Sequence, residues 1–306
     1  MDQPSHHVHA WGYEVSEATQ PSTARFGYIG LGQMGSAMAG RLLSTGATVT
    51  VCDLDAQAMA ALVEQGATAA SSPAELAQVC DIISICVPAD AHIRQVLTGA
   101  TGVQHGCSAG QTILIHSTVS PQTITWARDT AAAWGVDLFD ACVAGGGDAA
   151  KVGELVILAG GVSEMSQPVI DALNTYGSLV IDGGPVGTGA ALKIGVNTMT
   201  YAQFAAASSA FDMVKTNGGN PQALMKAWRH TGQLGKLTES FTGLLGIPPA
   251  HIRGAFRESL LNTVSIATKD LELAEELMNN GDPRHAMITS LRESMTAVFG
   301  LEENNQ

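Results

Sequence analysis

From Arg25 onward, short runs of β-branched and apolar residues alternate with longer stretches of helical periodicity. Phe26–Gly30, Thr48–Cys52, Ile82–Val87, Thr112–Ile115, Asp137–Phe139, Leu155–Ala159 and Ser178–Ile181 have the length and apolarity of buried strands. Between them the pattern predicts helices near Gly35–Leu43, Ala56–Gln65, Pro73–Ala77, Ala91–Leu97, Pro121–Trp134 and Ser166–Asn174. Such alternation implies parallel strands with crossover helices, a doubly wound α/β sheet. After Gly189 the strand signals stop. Ala190–Lys215 is Ala-rich and nearly uncharged and ends at Asn217-Gly218-Gly219, a helix stop. A helix of that composition needs cover on most faces. Further helices are predicted at Pro221–His230, Lys236–Leu245, Pro249–Leu260, Ser265–Asn279 and Pro283–Phe299, each bounded by Gly, Pro or Asn. The expected architecture is a tail over residues 1–24, a parallel-sheet domain over 25–186, and an all-α domain over 187–306 entered through a long helix.

Composition narrows the functional classes. The 306 residues are 45% hydrophobic with a net charge of −13, a sign that repels phosphate backbones and anionic lipid. Neither nucleic acid nor a membrane is an expected partner, and no apolar run approaches the ~18 residues of a membrane span. Cys52, Cys80, Cys86, Cys107 and Cys142 are scattered and form no Cys-x-x-Cys pair, which argues against a disulfide framework or a zinc knuckle and for a reducing, cytoplasmic compartment. The tail has no apolar signal core, and it holds Asp2, Glu14 and Glu17 but no Arg, unlike a transit peptide. His6, His7 and His9 lack an acidic or Cys partner, so no metal is expected. The 34 glycines exceed the usual ~7% and fall in no tract; each needs its own explanation.

The first explanation lies directly after the first strand. Gly30-Leu31-Gly32-Gln33-Met34-Gly35 opens a helix, and the next strand, Thr48–Cys52, ends in Asp53. A G-x-G-x-x-G motif is weak alone, but between strand and helix, with an acidic residue 18 positions beyond Gly35, it is the dinucleotide fingerprint of a Rossmann-type sheet. Gly30 permits the turn, Gly32 admits the pyrophosphate, and Gly35 lets helix pack on strand. Asp53 would accept hydrogen bonds from the adenosine ribose and repel a 2′-phosphate, so NAD is expected rather than NADP. The alternative is that Asp53 caps the following helix.

Further motifs follow in order. Cys86-Val87-Pro88 closes a strand; Ser117-Thr118-Val119-Ser120-Pro121 forms a turn after the next; then come Asp140–Gly146, Gly187–Asn197 and Lys269–Ala274. In these motifs the chain resembles the β-hydroxyacid dehydrogenase family, of which 3-hydroxyisobutyrate dehydrogenase is the familiar member and imine reductases are relatives. The resemblance covers about Phe26 to Phe299. It implies cofactor contacts from Leu31, Gln33, Met34, Val87, Pro88, Thr118 and Lys269, and substrate contacts from Ser117, Ala144, Gly145 and Gly146. Asp140–Gly146 is similar to the family's Asp-Ala-Pro-Val-Ser-Gly-Gly, with Cys142 for the proline and Ala144 for the serine that helps hold a carboxylate. It also implies a homodimer or homotetramer in which the long helix packs across subunits.

Lys193 and Asn197 resemble the family's catalytic pair, and their i, i+4 spacing puts them on one helix face. A lysine on so uncharged a helix is costly unless paired or used, and desolvation favours its neutral form. Lys193 is the expected general acid/base and Asn197 its partner in holding substrate; the alternative is a lysine that snorkels to solvent. Lys269 would contact substrate or cofactor at the start of its helix, or else pair with Glu272 or Glu276. His116 is either a packed core residue or a second proton carrier. The expected activity is hydride transfer between NAD and a hydroxy acid or related alcohol or aldehyde. An imine reductase-like enzyme is disfavoured because those relatives commonly carry Asp or Tyr at the Lys193 position, and a non-catalytic NAD-binding scaffold would need no buried lysine.

Overall fold

Among the described residues, 8–9, 12–14 and 24–302, ten strands form the sheet in the computed structural model. They are β1 (Val8–His9), β2 (Gly12–Glu14), β3 (Arg25–Ile29), β4 (Thr48–Cys52), β5 (Thr68–Ala69), β6 (Ile82–Ile85), β7 (Thr112–Ile115), β8 (Asp137–Ala144), β9 (Leu155–Ala159) and β10 (Gly177–Asp182). Their spatial order is β1-β2-β10-β9-β8-β7-β6-β3-β4-β5. From β5 to β8 every pairing is parallel, with the strand order of a dinucleotide-binding sheet. Alternate residues separate into two cores, as a period of two requires. Phe26, Tyr28, Ile82 and Leu114 join one buried cluster, while Ile29, Ile83, Ile85, Ile113 and Ile115 join the other.

The sheet departs from uniform parallel winding at β8. Residues 137–140 pair with β7 in parallel, and residues 141–144 pair with β9 antiparallel. Only ten residues separate β8 from β9, whereas a parallel crossover takes about a dozen or more. The connection carries a helix, Gly146–Val152, that the glycine-rich sequence did not signal. The segment read as a tail supplies β1 and β2, with β2 antiparallel to β10; His6 and His7 lie outside the described residues.

The chain divides into two units, Met1–Lys193 and Ile194–Gln306, and this boundary falls inside the long helix Thr188–Thr216. The second unit is all-helical. Its core includes Tyr201, Phe241, Leu271, Ile288 and Met295, with Phe204, Phe241 and Phe299 in mutual ring contact. The two helices expected over 249–260 and 265–279 are one, Gly254–Leu277. No Gly or Pro interrupts Ala255–Asn280, so Asn262, Thr263 and Val264 lower propensity without ending the helix. Lys269 therefore sits well inside a helix rather than at its start.

Candidate active site

The fingerprint turn occupies the end of β3. Gly30 has φ +91°, and a Cβ there would lie 2.3 Å from the Cys86 carbonyl oxygen; only glycine fits both the angle and the approach. Gly35 is pressed as closely on the Gly30 carbonyl. Gly32 contrasts with both. It is exposed, nothing lies within 4 Å of where its Cβ would be, and it precedes the helix Gln33–Ser44. Open space at a helix N-terminus is what a pyrophosphate requires, so these residues fit a dinucleotide.

Asp53 is bonded directly to this turn. One carboxylate oxygen accepts from the Leu31 N–H, and the other accepts from the Asp55 N–H at 2.7 Å. A carboxylate has about four acceptor positions, so capacity remains for ribose hydroxyls. The helix Ala56–Val63 is capped by Asp55, not Asp53, through the Gln57 and Ala58 N–H groups. Gln33, exposed beside the half-buried Met34, approaches the second glycine loop: a Cβ on Gly147 would lie 3.1 Å from Gln33 Cγ. In that loop Ala144 is half-buried, and Gly145 and Gly146 are exposed with φ of +132° and +84°.

The loops after β6 and β7 are cross-tied. The Val87 N–H donates to Ser117 Oγ at 2.8 Å, while Ser120 donates to Asp90 Oδ1 through its N–H at 3.0 Å and its hydroxyl at 2.6 Å. Pro88 is exposed and Thr118 half-buried on these loops. Cys142 Sγ donates to the Ser117 carbonyl at 3.3 Å. His116 belongs to the core, with Nδ1 2.6 Å from the Ala141 carbonyl, Nε2 3.1 Å from Ser84 Oγ, and Tyr28 and Tyr176 against its ring. Burial pulls its pKa down to about 4, so it stays neutral as a packed residue.

Asp140, quoted above only as part of a motif, is fully buried at the point where β8 changes partners. Its oxygens accept from the Gly187 N–H at 2.7 Å and the Ala190 N–H at 2.8 Å, anchoring the N-terminus of the helix that bears Lys193. Burial raises its carboxyl pKa against the opposing pull of these backbone donors. A lone charge in the apolar run 138–142 was the available signal. Lys193 is half-buried in the second turn of that helix.

In the second unit, the Asn197 Nδ2 donates to Asp270 Oδ2 at 2.6 Å, and the Tyr201 hydroxyl donates to the same oxygen at 3.1 Å. Lys269 Nζ lies 2.8 Å from Asp270 Oδ1, close but off the hydrogen-bond axis. Lys269 thus meets Asp270, while Glu272 and Glu275 face Arg292. Asn197 and Lys269, 72 positions apart in sequence, are joined through a buried carboxylate. In sequence Asp270 stands out only as part of the Lys269–Ala274 motif, and Tyr201 looks like any other aromatic on an apolar helix. Among the described residues no group of three His, Cys, Asp or Glu side chains comes together to hold a metal.

With this geometry in view, the comparisons define a class. Residues 25–184 match the NAD-binding domain of 6-phosphogluconate dehydrogenase. An uncharacterised oxidoreductase of Mycobacterium tuberculosis is 36% identical over 83% of this chain and 86% of its own length. The 3-hydroxyisobutyrate dehydrogenase of Pseudomonas aeruginosa is 31% identical over 81% of this chain and 83% of its own. The solved M. tuberculosis 3-hydroxyisobutyrate dehydrogenase with L-serine aligns at TM-score 0.76 and 20% identity, covering 90% and 94% of the two chains. Another fold neighbour, Psf3 in complex with NADP+ and 2-OPP, aligns at 0.71 and 21% identity, covering 90% and 99%. The chain belongs to the hydroxyacid dehydrogenase family of oxidoreductases, with a 6-phosphogluconate dehydrogenase-type NAD(P)-binding domain.

Proposed function

We propose that this protein is an NAD-dependent dehydrogenase that interconverts a hydroxy acid, or a related alcohol, and its carbonyl compound. The observation that carries this reading is the anchoring of the Lys193 helix on Asp140, in the same sheet that presents the open glycine turn and Asp53. When bound, the cofactor accepts or supplies hydride at its nicotinamide. Gly30, Leu31, Gly32, Gln33, Met34 and Gly35 would hold its pyrophosphate, Asp53 its adenosine ribose, and Val87, Pro88 and Thr118 its nicotinamide half. Lys193 takes the alcohol proton in oxidation and returns one to the carbonyl oxygen in reduction. Asn197 positions the substrate oxygen. Ser117 and the backbone N–H groups of Gly145 and Gly146 hold the acid group, with Lys269 beside substrate or cofactor.

Support for NAD over NADP comes from the carboxylate of Asp53 and the absence of Arg at Leu54-Asp55: a 2′-phosphate would meet like charge at short range. Ala144, which supplies no hydroxyl, points to a substrate held less through a small carboxylate than in relatives with serine there. The test is consumption of NADH on adding candidate carbonyl compounds, with Lys193→Ala alongside. The variant should lose ~10²-fold or more in turnover while NADH affinity is kept. Full turnover in the variant would dismiss the lysine's role, and a preference for NADPH at equal concentration would overturn the cofactor assignment.

A further inference from the structure

We propose that Asp270 and Tyr201 are positioning residues that fix the Asn197 carboxamide in one orientation, with its carbonyl oxygen as the face offered to substrate. This rests on the reading that Asn197 serves the reaction. A carboxylate is acceptor-only when ionised, so an amide 2.6 Å from Asp270 Oδ2 must turn its NH2 group toward it. Its Oδ1 is then committed as an acceptor. Asp270 is only 1% exposed, and a buried carboxylate holds firmly when donors surround it. Tyr201 supplies a second donor to the same oxygen from the next turn of the helix that carries Asn197. Lys269 balances the charge from the other oxygen. Burial and the neighbouring Asp270 both raise the Tyr201 pKa, which keeps its hydroxyl protonated as a donor.

The consequence is selectivity. An acceptor at Asn197 recognises a group that donates, so it favours the hydroxyl of the reduced substrate over the carbonyl oxygen of the oxidised one. Loss of the Asp270 bond frees the amide to flip and removes that preference.

The experiment uses Tyr201→Phe and Asp270→Asn in the full chain, with thermal melts to establish folding. Tyr201→Phe serves alone if Asp270→Asn does not fold. Two readouts are followed: the Asn197 side-chain NH2 resonances, assigned by their loss in Asn197→Ala, and kinetics with 3-hydroxyisobutyrate and NAD against the corresponding aldehyde and NADH. The wild type should show a slowly exchanging, resolved NH2 pair that shifts and exchanges faster in both variants. The KM for the alcohol should rise about tenfold in Asp270→Asn, the size of one lost substrate hydrogen bond, less in Tyr201→Phe, and little for the aldehyde. In an Asn197→Ala background both substitutions should have no further effect on alcohol KM. Unchanged NH2 resonances, or kinetic effects that add to those of Asn197→Ala, would overturn the proposal. If the wild type turns over neither substrate, the resonances decide alone: a slow, resolved NH2 pair that both substitutions shift supports the fixed orientation, and an unchanged pair overturns it.

Discussion

Gly30 and Asp53 show how little freedom the cofactor turn has. Any side chain at Gly30 meets the Cys86 carbonyl and an unfavourable backbone angle together, so Gly30→Ala should unfold at a lower denaturant midpoint and lose NADH binding. Asp53 stands out in the sequence because it follows a strand at the right distance from the glycines. That it also ties down the turn through Leu31 does not show there, since this bond depends on a loop conformation no local pattern encodes. His116 gives a pH prediction. Its folded pKa is about 4 against an ordinary 6.5, so the unfolded chain takes up the proton first as pH falls. Its contribution is complete above the unfolded value, declines through the window from about 6.5 to about 4, and changes no further below. Urea midpoints across that window should fall with pH in the wild type and less steeply in His116→Phe. Equal slopes would show that burial of this imidazole does not govern acid stability.

At the scale of elements, the start of the long helix matters most. Asp140→Ala would leave the Gly187 and Ala190 N–H groups without their buried acceptor, a cost of about 1–3 kcal/mol for each unmet group. Urea denaturation should register at least one such increment, with a drop in turnover as the Lys193 helix loses its anchor. The helix itself was readable from sequence through its alanine content and the glycines that end it. Other elements were not. The direction of β9 is absent from its composition; only the short link from β8 hinted at it. The helix Gly254–Leu277 reads in sequence as two, with the break at the stretch around Asn262, yet burial of Leu260, Ala267 and Leu271 outweighs the low propensity there.

For the whole molecule, a cofactor held as proposed by the glycine turn, Asp53 and the β6 and β7 loops would stabilise the folded chain by mass action. NADH at 100 times its Kd should add about 2.7 kcal/mol. The melting temperature of Lys193→Ala should rise with NADH as the wild type's does, while Asp53→Ala should respond weakly; a lost response in the lysine variant would place Lys193 in cofactor binding instead. No described helix is long and apolar enough to cross a membrane. The divided strand β8 has a wider meaning. Residues 137–140 are paired into the parallel sheet, whereas the strand pairing of Ala141–Ala144 is with β9. Cys142 and Ala144, the two departures from the family motif, both lie in the second half. Sequence change in the second half can therefore accumulate without disturbing the parallel register to which the glycine turn belongs.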